Sequence, residues 1–167
     1  MWSDDIEALK KLHVSDAEVA ELVVLKSNGI SDDTCVSLVR AAHDHKHVFN
    51  GATSVRSLAG AGFSESEIME IASADQLDVL SGDAVTLRLI GLSDATVQML
   101  LQRKLKGIPT LSSGEIARLK NTELTERQIV ERIESGMTDE QAEAEVTARN
   151  RAENQTGFVR IHGRKPR

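Results

Sequence analysis

A chain of 167 residues, 40% hydrophobic and 28% charged, is long enough to bury a core in one body. No apolar run approaches the roughly 20 residues that a membrane-spanning helix needs, which excludes an integral helical membrane protein. The net charge of −6 and the 2% aromatic content, with no Tyr, argue against a phosphate-neutralising or base-stacking protein, and the single cysteine excludes an intramolecular disulfide.

Taken in chain order, the pattern predicts about ten short helices. The first covers 4–12, after Met1-Trp2-Ser3-Asp4, which runs into polar sequence with no signal-peptide pattern. Trp2 reads as an N-terminal core plug. Compartment stays open: cytoplasmic as the sequence stands, periplasmic or extracellular in a bacterium if a signal was removed. Helices at 16–27 and 32–46 follow, with Cys35 on the apolar side of the second, where it reads as a buried structural thiol without an assignable base.

That second helix ends in "HDHKH". His43 and His47 stand four apart, a spacing that sets two imidazoles on one helical face, with His45 and Asp44 nearby. His43, His45 and His47 are therefore the candidate metal ligands. The competing reading is a polar C-terminal turn that complements the helix dipole.

Further helices are expected at 54–60, 65–73, 76–81, 84–90, 94–106, 114–121, 126–135 and 139–152, with breaks at Asn50-Gly51, Gly82-Asp83 and Gly107-Ile108-Pro109. No strand alternation appears before residue 156. Helices this short hold only by packing apolar stripes together, here Leu22, Leu38, Ile68, Ile71, Leu100, Ile129 and their neighbours.

One motif recurs six times: LHVSDAEVAEL, NGISDDTCVSL, AGFSESEIMEI, IGLSDATVQML, TELTERQIVER and SGMTDEQAEAE. Ser15, Ser31, Ser64, Ser93, Thr125 and Thr138 are N-caps, each followed by an acid suited to the positive helix end. Glu18, Glu67, Gln128 and Gln141 complete capping boxes. Gly29, Gly62, Gly91 and Gly136 precede their caps, where the previous helix needs a left-handed terminator. The cap intervals suggest an irregular αα-hairpin unit of about 30 residues.

Residues 151–167 carry Arg151, Arg160, Arg164, Lys165 and Arg167 against Glu153, a balance of +4 that leaves −10 for residues 1–150. The expected organisation is a helical repeat domain over 1–150 and a basic C-terminal tail over 151–167, as a short strand at Phe158 to Ile161 or a disordered arm.

Several stretches resemble known modules. "LIGLSDATV" and "AGAGFSESEI" resemble the hairpin of helix-hairpin-helix DNA-binding modules, where turn amides meet a phosphate. Here Ser93 or Ser64 replaces the second Gly, an acid follows, and the cap already occupies an amide. "LTERQIVERIESGMTDEQAEAEV" and "LSDATVQMLLQRKLKGI" resemble the helix-turn-helix of quorum-sensing-type response regulators, in reversed chain order. Gly62-Phe63 resembles the turn of ubiquitin-associated domains. The whole pattern, with "ESGMTDEQAEAEVTARNRAENQTGFVR", resembles bacterial helical-repeat proteins of αα-hairpins, some exported; that resemblance implies a fold and no activity.

The expectation is an all-α chain, a compact array or short solenoid of capped hairpins with a short C-terminal extension. Its expected role is a non-catalytic interaction or structural module of a bacterial protein, with a protein partner or self-association and no cofactor. No Gly-rich nucleotide loop or Ser-His-Asp order points to an enzyme. Two alternatives accompany it. One is nucleic-acid binding through 84–108, where Arg103, Lys104 and Lys106 make the local basic group, although nucleic acid is not the favoured partner. The other is metal binding through His43, His45 and His47.

Overall fold

Side chains that satisfy neighbouring backbone organise this chain. The computed structural model describes Leu9 and residues 11–162, with side chains through residue 152. Among the described residues, nine α-helices and no strand follow one another. They are α1 (Asp16–Ser27), α2 (Asp32–Asp44), α3 (Ala52–Gly60), α4 (Glu65–Ser73), α5 (Leu77–Leu89), α6 (Asp94–Leu105), α7 (Ser113–Asn121), α8 (Glu126–Glu134) and α9 (Asp139–His162). Trp2 and most of the helix expected at 4–12 lie outside the described residues.

The local chemistry at the helix ends is as the hydroxyl spacing predicts. Ser15, Ser31, Ser64, Ser93 and Thr125 each accept the amide three residues on. Glu18, Glu67 and Gln128 return the bond to the cap backbone, and Thr138 exchanges the same pair of bonds with Gln141. Gly29, Gly62, Gly91 and Gly136 have φ between +82° and +89°, which a glycine enters without a Cβ clash.

Three expectations are corrected and one cap is added. Gly82-Asp83 does not break the chain, because Ser81, Ala84 and Leu87 continue one buried stripe through α5. The second helix stops at Asp44, since Lys46 takes φ +63° and reverses the chain. Ser112, unassigned from sequence, caps α7 through the Glu115 amide. Phe158 to Ile161, expected as a short strand or part of a disordered arm, is helix, as α9 runs unbroken past residue 150 to His162.

The packing is two rows. Helices α1, α3, α5, α7 and α9 contact each other in succession, while α2 packs on α1 and α4, α6 on α5, and α8 on α7. A single buried cluster runs from Leu22 to Ala142 between the rows. The helix starts along the odd row gather on one edge: the Ser54 hydroxyl donates to Asp78 at 2.7 Å, and the Ser112 amide to Asp139 at 2.9 Å.

Positions in two stretches of the chain correspond at a spacing of 61 or 62 residues. Ser31 corresponds to Ser93, Thr34 to Thr96, Leu38 to Leu100, Leu58 to Leu119, Ser64 to Thr125, Glu65 to Glu126 and Ile68 to Ile129, each 61 or 62 positions later. The contacts repeat as well. Lys26 pairs with Asp32, and Arg88 with Asp94. The first unit is α1–α4 and the second α5–α8, with α9 in the place that opens a third. A bidentate Arg132–Glu145 pair at 2.7 and 2.8 Å fastens α9 to α8.

Candidate functional site

The two turns that resemble phosphate-gripping hairpins are each filled by a carboxylate of the protein: at Ser64 it is Glu67 of the same helix, which accepts from the Ser64 amide at 2.9 Å, and at Ser93 it comes from another helix. Glu126, the first residue of α8, reaches across to α6, where the Ser93 amide donates to both its oxygens at 3.2 and 3.3 Å and the Thr96 hydroxyl also donates to it. Glu65 of α4 does the same for Ser31 and Thr34 of α2. The Ser31 and Thr34 hydroxyls hold the Glu65 carboxyl below its usual range. Burial pushes Glu126 up, but the hydroxyls of Ser93 and Thr96 outweigh it and the net shift is downward.

These acids sit in the first turn of their own helices as expected, and several of them also make longer-range contacts. Glu65 and Glu126 serve the start of another helix, and Asp32 and Asp94 pair with the cation closing the helix before. Glu21 accepts from the Ala52 amide at 2.8 Å, and Asp83 from the Ser113 hydroxyl at 2.6 Å. Much of the acidic charge of the body is thus held by backbone donors and neighbouring hydroxyls.

The three histidines are not brought to one point. His43 Nε2 lies 2.7 Å from Glu18, His45 Nε2 3.0 Å from the Ser73 carbonyl, and His47 Nε2 3.5 Å from Asp75. The helical spacing that would align His43 with His47 is interrupted, because α2 ends between them. Among the described residues no group of three or more His, Cys, Asp or Glu is placed to hold a metal ion.

Glu18 is the most constrained charge of the first unit, with 2% exposure. Burial alone would raise its pKa. The amides of Ser15 and Phe49, the His43 ring and the Ser15 hydroxyl overcome that and lower it to about 2. The carboxylate thereby ties α1 to the end of α2 and to the loop carrying Phe49.

Cys35 is buried and free, and burial pushes its thiol up to about 11, which suits a packing role. In the 84–108 segment Arg88 pairs with Asp94, Arg103 donates to the Pro109 carbonyl and Lys104 pairs with Asp83 at 2.7 Å, so three of its four cations are engaged within the chain.

Beyond the histidines lies a feature the sequence reading missed: an open cleft of about 480 Å³ between the end of α2, the loop before α3 and the start of α5. Leu38, Ala42, Phe49, Ala72 and Leu77 form its apolar floor, and His47, Asp75 and Asp78 its polar rim. Val48 and Val79 stand exposed at its mouth. A Cβ at Gly51, in the wall, would meet a Leu77 methyl at 2.6 Å, so a side chain there would push the end of Leu77 aside.

The second unit carries larger residues at the corresponding positions. By helical register Lys104 stands for Ala42, Ile133 for Ala72 and Ser112 for Gly51. At the rim, Asp75 holds φ +56° where its counterpart is Gly136. A non-glycine residue in that conformation is disfavoured, so the first unit keeps a carboxylate where the second takes the unstrained choice.

No family model matches this chain, and no curated protein or solved structure is similar to it.

Proposed function

We propose that this chain is a non-catalytic helical-repeat module that binds a protein partner or a second copy of itself. The observation that carries this reading is apolar surface displayed at matching positions of the two units. Val23 of α1 and its counterpart Val85 of α5 are 63% and 45% exposed, with Val19 and Leu89 on the same helices also exposed. Scattered exposed apolar residues are ordinary on a folded surface. Recurrence at one register position of two packed units is the feature that favours an extended contact face. The carboxylates and hydroxyls at the turns support the same reading, since their bonds hold the scaffold together.

The test is cross-linking of the purified full chain, alone and in extract of the producing cells, with adducts mapped by mass spectrometry. Adducts concentrated on α1 and α5, and lost in a Val23→Glu, Val85→Glu variant that melts like the parent, are expected. Adducts spread evenly over the surface, or unchanged in that variant, would overturn the reading.

A further inference from the structure

We propose that the apolar cleft of the first unit is a docking site for the basic C-terminal segment of a second copy of this chain, joining copies head to tail. The proposal rests on the interaction reading above and names one of its partners.

The cleft selects a particular chemistry. A floor of Leu38, Phe49, Ala72 and Leu77 accepts an alkyl chain, and Asp75 and Asp78 on the rim accept a cation at its end. Arg and Lys side chains combine those two properties in one group. Asp78 is anchored by the Ser54 hydroxyl at 2.7 Å, which fixes that side of the rim in advance.

The chain itself carries such a ligand. Arg164, Lys165 and Arg167 fall within four consecutive residues, in a segment whose charge is opposite to that of the body. Long-range attraction between an acidic body and a basic segment speeds encounter, and the cleft gives the encounter a register.

Geometry requires the contact to be between copies. The cleft lies at the edge where α3 and α5 begin, and α9 begins on that edge beside α7, its Asp139 accepting from the Ser112 amide. With 24 residues, α9 carries the chain about 36 Å toward the opposite side. Residues 163–167 can reach at most about 17 Å from His162, too little to return to the cleft of their own chain. A contact of this kind uses two different surfaces, so it propagates as a chain or closes as a ring.

The difference between the units is the reason to place the site here. A repeat that places Lys104 and Ile133 at these positions in one unit and Ala42 and Ala72 in the other carries its small residues where the cleft lies.

Sedimentation velocity of the full chain at low ionic strength, over a concentration series, tests this. The parent is expected to associate, and added salt to reverse it. Asp75→Asn, at an exposed residue, is expected to weaken association about tenfold. Ala72→Ile, which fills the floor, and the triple variant Arg164→Gln, Lys165→Gln, Arg167→Gln are each expected to sediment as monomers. Mixing those two is expected to restore a one-to-one dimer, since one supplies the cleft and the other the segment. Thermal melts confirm that each variant is folded, and if Ala72→Ile is not, Asp75→Asn takes its place in the mixture. A parent that stays monomeric, variants that associate like the parent, or a mixture that forms no dimer would each overturn the proposal. Association that persists in the cleft and tail variants but is lost in Val23→Glu, Val85→Glu would overturn this proposal alone and leave the interaction reading standing.

Discussion

The unit α1–α4 and the unit α5–α8 are built to one plan and diverge in what they bury. Both close their hairpins with a hydroxyl cap clasped by a carboxylate from the helix two places on, Glu65 in one and Glu126 in the other. The first unit, however, buries Glu18 where the second buries Leu80, and keeps Ala72 and Asp75 where the second has Ile133 and Gly136. Shared features sit where backbone donors must be satisfied, and several unshared ones, Ala42, Ala72 and Asp75 among them, line one cleft. Repetition inside a chain thus provides its own control: what recurs is architecture, and what departs from it locally is a place to look for recognition.

The largest expected effect tests the shared part. Leu58 and Leu119 are equivalent and fully buried. Leu58→Ala and Leu119→Ala should each cost about 2–5 kcal/mol in urea unfolding, with similar values for the two. A several-fold difference would break the equivalence.

The next effect belongs to the first unit alone. A Glu18 carboxyl lowered from 4.5 to about 2 contributes about 3 kcal/mol that is fully present above pH 4.5 and is lost as pH falls toward 2. Hydrogen exchange on acidification should therefore open the amides around Phe49 before their counterparts near Thr110. Glu18→Gln should flatten the acid limb of the stability profile, and an unchanged profile would contradict the assignment.

Smaller and symmetric is the loss of either clasp. Glu65→Gln and Glu126→Gln should each cost about 1 kcal/mol in chemical denaturation, because each takes charge-assisted bonds from partly exposed hydroxyls and an amide. The smallest change sharpens the contrast at the rim. Asp75→Gly should raise stability by about 0.5 kcal/mol and Gly136→Asp lower it by a similar amount, as shifts of opposite sign in melting temperature.

Much of the fold was legible because its signals are local. A Ser or Thr followed three residues later by Glu or Gln needs only its own turn to form, and Ser15, Ser64, Thr125 and Thr138 formed theirs. What the sequence hid is longer in range. Glu65 and Glu126 look like dipole-favoured residues of their own helices, and only the packing of alternate helices aims them at Ser31 and Ser93. The 61- or 62-residue period is masked because the intervening hairpins share little sequence, so the caps suggest an irregular unit of half that length. His43 to His47 matched helical spacing, and Lys46 in a left-handed turn cancelled it. The cleft was invisible because small residues distant in sequence, Ala42, Gly51 and Ala72, signal nothing until they converge.

The claim beneath all of this is that the helix starts at Ser31 and Ser93 are occupied by carboxylates of the chain itself. Proton NMR of those two amides through an acid titration tests it most directly. Both should shift together, at a pH below the ordinary carboxylate value of 4.5, and inorganic phosphate added at neutral pH should move neither. Amides that titrate at the ordinary value, or that follow added phosphate, would contradict it.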